Sequence, residues 1–365
     1  MKIKEVISLL ENVAPTQLQE SYDNAGLLTG SPDWECKGIL VTLDATEEIV
    51  KEAAEKKCNL IVAHHPIVFE GLKKITGKTY VERAVISAIK NDIAVYAIHT
   101  NLDNIATGVN GKIADMLGLV NRLVLAPKKS LLKRLVVFVP AAQAENVRNA
   151  MFNAGAGHIS NYSECSFNSQ GEGTFKPGEG TNPFIGKERE QHTENEIKIE
   201  VIFPCWLEQA ILRVMLDEHP YEEVAYDIIP LENTLASYGS GLSGELAQAM
   251  PETDFLLLLK KTFKLQVVRH TGFTGRLVKK VALCGGAGSF LIKAAVASGV
   301  DFYITSDVKY HEFFDAENRL VIADIGHYES EQYTINLLFD ILKEKYPTFA
   351  VLKTEINTNP VNYFL

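Results

Sequence analysis

Short apolar runs that alternate with helical patterns dominate the first part of this chain. We predict strands over residues 38–42, 59–63 and 93–98, and helices over residues 46–56, 80–91 and 108–117. Strands that alternate with helices of this length pair in parallel, because right-handed crossovers lay each helix on a face of the sheet. Residues 1–127 are therefore predicted to form the first part of an α/β core.

The middle of the chain has a different pattern. It predicts strands over residues 131–140, 198–203 and 224–230 and helices over residues 145–154 and 207–218. Residues 168–196 are rich in Gly, Glu and Thr, which predicts a large mobile loop or a hairpin. The order β-α-β-β-α-β is typical of ferredoxin-like α+β domains. We expect such a domain over residues 128–235.

The α/β pattern returns over residues 236–365. It predicts helices over residues 254–263, 290–298 and 327–345 and strands over residues 266–269, 280–284, 301–305 and 320–324. A chain of 365 residues with 46% hydrophobic residues can bury two cores. The predicted fold is an α/β core with a layered mixed or parallel sheet, split by the inserted α+β domain.

The charge and the cysteines limit the class of protein. The 36 basic and 46 acidic residues give a net charge of −10, which does not favour nucleic acid as a partner. The five cysteines are scattered, without a C-x-x-C pair, and are typical of free thiols in a reducing cytosol. Residues 1–13 mix charged and apolar positions unlike a signal peptide, and no apolar run approaches the ~20 residues that span a bilayer. We expect a cytoplasmic protein that does not enter a membrane.

Metal-type donors follow three of the predicted strands, and the carboxyl ends of parallel strands share one edge of a sheet. The donors are His64 and His65, then His99 and Asp103, then His327 and Glu331. Consecutive strand residues face opposite sides, so His64 and His65 converge only at a turn or address two ions. His327 and Glu331 share one helix face. Each group also has an interpretation without a metal. His64 and His65 could be polar loop residues, Asp103 could cap a helix or turn, and His327 and Glu331 could form a surface ion pair.

The number of donors favours two ions. Five or six His, Asp and Glu donors exceed one tetrahedral site, and they include no thiolate. Zn²⁺ is the first candidate, and Mn²⁺, Fe²⁺, Co²⁺ and Ni²⁺ suit the same ligands. Two divalent ions against two carboxylates predict a positive centre that attracts an anionic substrate and activates a bridging water. A metal-activated water beside a bound anionic substrate is typical of hydrolases.

Two further segments are candidates for the same edge. Residues 282–289 (ALCGGAGS) predict a glycine-rich turn whose free amides bind a phosphate, or else a tight turn that needs positive φ. Asp307 and His311 follow another strand and are interpreted as groups that support the metals or bind substrate, or as a cap and an exposed histidine.

Several of these motifs together resemble the NIF-three-like family, whose bacterial members are named GTP cyclohydrolase I type two homologs. The matching residues are 21–26 (SYDNAG), 63–66 (AHHP), 99–103 (HTNLD), 284–288 (CGGAG), 306–311 (SDVKYH) and 326–331 (GHYESE). The resemblance implies a dinuclear site, with two divalent ions per subunit, at His64, His65, Asp103, His327 and Glu331. The same resemblance implies that His99 lies near the metals but is not one of their ligands.

The inserted segment is similar to the PII-like and CutA-like insertion of the family's longer members. Residues 180–186 (GTNPFIG) and 219–227 (HPYEEVAYD) carry that likeness. It implies a ring-shaped homohexamer.

These observations predict a metal-dependent hydrolase that acts on a small anionic or nucleotide-like substrate. His99 or Glu329 would transfer the proton. No purine-reading motif supports the GTP cyclohydrolase name. The alternative, from a different class, is a non-enzymatic metal-binding or regulatory hexameric ring.

Overall fold

The computed structural model describes residues 1–364, which separate into two compact units. We call residues 1–127 together with those from 236 onward the outer unit, and residues 128–235 the middle unit. None of the described helices is both long enough and apolar enough to cross a membrane.

The elements follow in chain order. The first part of the outer unit contains α1 (Ile3–Val13), β1 (Gly26–Thr29), β2 (Ile39–Thr42), α2 (Glu47–Glu55), β3 (Leu60–Ala63), α3 (Tyr80–Lys90), β4 (Ala94–Ala97), α4 (Thr100–Asp103), α5 (Val109–Met116) and β5 (Val120–Pro127). The middle unit contains β6 (Leu132–Pro140), α6 (Ala144–Asn153), β7 (Ser166–Phe175), β8 (His192–Pro204), α7 (Glu208–Glu218) and β9 (Tyr226–Leu231). The last part of the outer unit contains β10 (Gly239–Pro251), α8 (Glu252–Phe263), β11 (Arg269–His270), β12 (Leu277–Ala287), α9 (Ile292–Ala297), β13 (Phe302–Ser306), β14 (Val321–Asp324), α10 (His327–Glu331), α11 (Thr334–Lys345) and β15 (Val351–Lys353).

The first sheet of the outer unit has the order β1-β4-β3-β2-β15. The last four strands of that order are parallel, and β1 is antiparallel to β4. Every residue of β2, β3 and β4 is buried, which is why these strands appear in the sequence as continuous apolar runs. The Thr46 side chain caps α2 by accepting from the Ile49 amide, so the helix begins where the sequence predicts.

The second sheet of the outer unit has the order β11-β14-β13-β12-β10-β5. Strands β12, β13 and β14 are parallel, while β10 is antiparallel to both β12 and β5. The outer unit is therefore an α/β structure with mixed sheets. Strands β5 and β10 were not predicted, because β5 begins exposed and β10 is rich in glycine.

The middle unit has the element order β-α-β-β-α-β and one antiparallel sheet with the order β7-β8-β6-β9. Its core includes Leu135, Val137, Phe203 and Met215, all fully buried. The polar stretch is mostly a hairpin, because β7 pairs with β8 from Ser166 opposite Val201 to Phe175 opposite His192. The connecting loop is confined to residues 176–191.

Two predicted helices differ from the structure. The helix predicted over residues 327–345 is divided into α10 and α11, with a turn at Gln332 and Tyr333 that no proline or glycine marks. The predicted helix over residues 290–298 is the shorter α9, which follows a turn of 3-10 helix at Ser289–Leu291.

Candidate metal centre

The structure brings the six predicted donors of the outer unit together. His64 and His65 directly follow β3, His99 precedes α4, Asp103 ends α4, and His327 and Glu331 begin and end α10. The ring centroids of the neighbouring histidines lie 4.9 Å (His64 and His65), 5.3 Å (His64 and His99) and 5.3 Å (His65 and His327) apart. Two sheets thus deliver their strand ends to one cluster.

Glu331 lies at the centre of this cluster, and its side chain is only 3% exposed. Its Oε2 atom is 2.9 Å from His65 Nε2 and 3.0 Å from His327 Nε2. Its Oε1 atom faces the other way and is 3.9 Å from His64 Nε2. The carboxylate therefore presents Oε2 to His65 and His327, and Oε1 to His64.

His64 is completely buried, and its Nδ1 donates to the Ile98 carbonyl at 2.9 Å. Its Nε2 and the Asp103 Oδ1 atom are buried without hydrogen-bond partners among the described residues, and they lie 3.7 Å apart. That distance is too long for a hydrogen bond. Two ligands at about 2.0–2.2 Å from one tetrahedral ion are separated by roughly 3.3–3.6 Å. The 3.7 Å separation is close to this range, so the two atoms could be ligands of one cation.

Three groups in the cluster could each hold a metal ion, because their ligand atoms all lie within 4.8 Å of one another. They are His64 with Asp103 and Glu331, His65 with His327 and Glu331, and His64 with His65 and His99.

Carboxylates hydrogen-bond to Nδ1 of three of the histidines and so orient their rings. Asp44 Oδ1 is 2.8 Å from His65 Nδ1, and Asp307 Oδ2 is 2.6 Å from His327 Nδ1. Such contacts keep the Nδ1 proton in place and direct Nε2 inward, as is usual for metal-binding histidines. In the same way, His99 Nδ1 lies 2.8 Å from Asp23, within the motif at residues 21–26.

Sequence reasoning predicted a supporting role for Asp307 but missed Asp23 and Asp44. Asp44 follows the end of β2, so the rule that located the histidines would also have found it. His311 is not brought to the cluster. It is exposed and its ring stacks on that of Phe314, with centroids 6.3 Å apart.

Burial and charge shift the titration of the histidines in opposite directions. Burial lowers the pKa of His64 to about 4, because the charged imidazolium would lose its water. Burial also disfavours the charge of His65, but its hydrogen bonds to Asp44 and Glu331 outweigh that effect and raise the pKa to about 9.

The two central carboxyl groups are also perturbed. Burial, followed by the charge of Glu331, holds the pKa of Asp103 well above its usual range. Burial alone would raise the pKa of Glu331, but the contacts with His327, His64 and His65 hold it well below its usual range. His327, held by Asp307 and Glu331 against its own burial, has its pKa raised to about 11. The cluster therefore retains positive charge between its carboxylates.

The glycine-rich turn fits closely against Glu331. The Gly285 amide donates to Asn110 Oδ1 at 2.9 Å, and the Gly286 amide donates to Ser330 Oγ at 3.0 Å. These two amides are not free to bind a phosphate, so that prediction was wrong for them. Gly286 has a φ of +64°, and a Cβ there would lie 2.3 Å from Glu331 Oε1. The turn interpretation explains this glycine.

The cluster opens into a cavity of about 730 Å³ in the outer unit. Tyr22, Phe69 and Phe290 are exposed aromatic residues in its lining. Glu329 also lines it, and its Oε1 accepts from Asn359 Nδ2 at 3.1 Å. Asn359 belongs to the segment after β15, which sequence reasoning did not connect with the site. In the same segment, the Thr358 hydroxyl donates to Asp44 Oδ2.

The fold and the site define an α/β protein with mixed sheets and a buried histidine and carboxylate cluster that could hold metal. The chain belongs to the Duf34/NIF3 family (NGG1p interacting factor 3), whose model matches residues 1–360. This finding confirms the resemblance to the NIF-three-like family.

Individual relatives cover the same length. The chain is 40% identical over 365 residues to the GTP cyclohydrolase 1 type 2 homolog of Bacillus subtilis (strain 168), covering 99% of this chain and 98% of that protein. A homolog of the same name from Halalkalibacterium halodurans is 41% identical over 363 residues, covering 98% of each chain. The crystal structure of a Bacillus cereus protein related to NIF3 has a TM-score of 0.85 at 38% identity, covering 100% of this chain and 99% of that one.

Proposed function

We propose that this protein is a metal-dependent hydrolase that binds two divalent ions per subunit. One ion would be held by His64, Asp103 and Glu331, and the other by His65, His327 and Glu331. The observation that carries this proposal is a pair of buried atoms without hydrogen-bond partners, His64 Nε2 and Asp103 Oδ1. They lie beside the Glu331 carboxylate, whose other oxygen contacts His65 and His327.

The residues fit divalent ions on energetic grounds. A buried polar atom without a partner costs about 1–3 kcal/mol, and a cation between the two atoms would remove that cost for both. Imidazole with carboxylate suits Zn²⁺ first, and also Mn²⁺, Fe²⁺, Co²⁺ or Ni²⁺. Each histidine in the proposed ligand set has its Nδ1 engaged, so its Nε2 is the atom that binds.

When bound, such ions supply a nucleophilic water at neutral pH and polarise the bond to be broken. The chain itself would supply the proton transfer. His99 is the first candidate, because Asp23 holds its Nδ1 and its ring lies 5.4 Å from that of His65. Glu329 is the second, since it lines the same cavity outside the three ligand groups.

We propose a small anionic or nucleotide-like substrate, because an anionic group can coordinate the ions directly. The Bacillus subtilis relative is named a GTP cyclohydrolase 1 type 2 homolog. We do not extend that activity to this chain, because its sequence carries no recognisable purine-reading motif.

A second candidate is a non-enzymatic metal-binding or regulatory ring in the cytoplasm. Its support is the middle unit, which we propose to be an inserted ferredoxin-like domain of the PII-like and CutA-like type. Its β-α-β-β-α-β order and its strand order β7-β8-β6-β9 agree with that type. A homohexamer is the assembly that we propose for either function.

The first test is metal content and position. Anomalous scattering from zinc-loaded crystals should give two peaks, one beside His64 and one beside His327. Fewer than two peaks would contradict the dinuclear centre, and the absence of both would contradict metal binding at this cluster.

The second test separates the enzyme from the ring. Metal-loaded protein is screened for turnover of phosphoesters, amides and nucleotides alongside His65→Ala, Glu331→Ala and the control His311→Ala, whose histidine is exposed. Turnover that is lost in the first two variants and kept in the control supports the hydrolase. Metal and ligand binding without turnover supports the ring.

A further inference from the structure

We propose that the cavity selects a planar aromatic compound that carries no more than one negative charge. This inference rests on the proposed dinuclear centre and narrows its substrate class. Two independent features of the outer unit lead to it: the charges that line the cavity and the exposed aromatic residues in the same lining.

The cavity is strongly acidic. Seven carboxyl side chains line it: Glu20, Asp44, Asp103, Asp307, Asp324, Glu329 and Glu331. Arg269 is the one lysine or arginine among the described residues of the lining. Its guanidinium is already engaged, donating to Asp324 Oδ2 at 3.0 Å and to the Val308 carbonyl at 2.8 Å. Among its described residues, the lining therefore offers an anionic ligand no uncommitted lysine or arginine side chain.

Two divalent ions would not reverse this balance. With metal-bound histidines neutral and all seven carboxyl groups ionised, the two ions and Arg269 contribute five positive charges against seven negative ones, which leaves a formal net charge of −2. The two ligand carboxylates alone would leave the two ions with a net positive charge. Asp44 and Asp307, which contact His65 and His327, add two negative charges that sequence reasoning did not include. One anionic group can still bind an ion directly. Each additional charge would meet repulsion from the surrounding carboxylates.

Two aromatic side chains stand next to the donors. Tyr22 is 61% exposed and Phe69 47% exposed, and their ring centroids lie 6.3 Å apart with planes tilted by 38°. Phe69 also lies 6.2 Å from the His99 ring, which connects it to the cluster. Exposed aromatic faces bind flat rings by stacking, because every aromatic base has a π-face.

The test uses three ligands that share one base and differ in charge: guanosine, guanosine monophosphate and GTP. Each is titrated calorimetrically into zinc-loaded protein from which free zinc has been removed, and metal content is measured after each titration. We expect GTP to bind at least tenfold more weakly than guanosine, and more weakly than guanosine monophosphate, whose single phosphate can bind an ion directly. GTP binding that equals or exceeds guanosine binding, or no binding by any of the three, overturns the proposal.

Phe69→Leu keeps an apolar side chain and removes the ring, and it should weaken guanosine binding at least fivefold. Phe314→Leu is the matched control, because Phe314 is 65% exposed and lies outside the described lining of this cavity. Equal binding by Phe69→Leu and wild type overturns the stacking role. Protein that fails to retain two ions instead contradicts the dinuclear centre, so the two failures are distinguishable.

Discussion

Gly286 offers the sharpest test of the metal cluster, because any side chain there meets the carboxylate at its centre. A Cβ on Gly286 would lie 2.3 Å from Glu331 Oε1 and 3.2 Å from Glu331 Cδ. Cβ contacts below 3.0 Å essentially do not occur. In Gly286→Ala the Glu331 carboxylate must therefore move.

The cost should fall on metal affinity more than on stability. The clashing atom is the end of a side chain, so the fold can relax by rotating the carboxylate. An alanine in the left-handed region costs about 1–2 kcal/mol. Disturbing a residue that orients a metal ligand typically costs 10–100-fold in affinity, or about 1.4–2.8 kcal/mol. Because Glu331 faces both proposed metal positions, we expect zinc affinity to fall at least tenfold at each.

The assay pairs calorimetric zinc titration with denaturant unfolding of the metal-free protein. Gly118→Ala is the matched control, since Gly118 has a φ of +65° and a Cβ added there would meet no atom within 4 Å. It carries the same backbone strain without the clash. Both variants should lose the stability that the left-handed backbone costs, and only Gly286→Ala should also lose zinc affinity. Unchanged zinc affinity and stoichiometry in Gly286→Ala would refute the reasoning.

Three further predictions follow from the same geometry. Asp44→Asn should weaken zinc binding about 10–100-fold and return the pKa of His65 from about 9 towards its ordinary value, as an NMR titration of the metal-free protein would detect. In metal-free protein, the stabilisation from His65 should be fully present below its unfolded pKa of about 6.5, and it should be lost as the pH rises to about 9. His64 has the opposite effect: because its pKa is lowered, the protein should lose stability as the pH falls from about 6.5 to about 4. Thermal unfolding with a chelator across this range measures both, and a flat profile would argue against them. Phe203→Ala should destabilise the middle unit by about 3–5 kcal/mol in denaturant unfolding, because Phe203 is fully buried. The control is Phe167→Ala: Phe167 is 69% exposed, so its loss should change stability by less than about 0.5 kcal/mol.

The strands differ in how far the sequence predicts them. Strands β2, β3 and β4 are buried on both faces, so their composition alone identifies them. Residues in β5 and β10 adopt strand structure where the two segments pair with each other, from Gly239 opposite Pro127 to Glu245 opposite Val120. Such pairing depends on neighbours across the sheet more than on local preference. No local pattern therefore marks them.

The divided helix shows the same limit. The apolar spacing after His327 continues smoothly, and it predicts one helix. The structure instead ends α10 at Glu331 and begins α11 at Thr334. Between them, the Tyr333 hydroxyl donates to the Thr262 carbonyl at 3.2 Å, a contact that belongs to the packed structure.

The sequence by itself determined which donors stand at the ends of strands, because an apolar run ending in histidine or a carboxylate is visible in one dimension. Tertiary structure decided how they meet. His65 and Glu331 are 266 residues apart and His99 and Asp23 are 76 apart, yet each pair lies within 3 Å. The Thr358 hydroxyl likewise reaches Asp44 from 314 residues away. Local periodicity encodes burial and turns, while contacts between distant segments depend on how the two sheets pack.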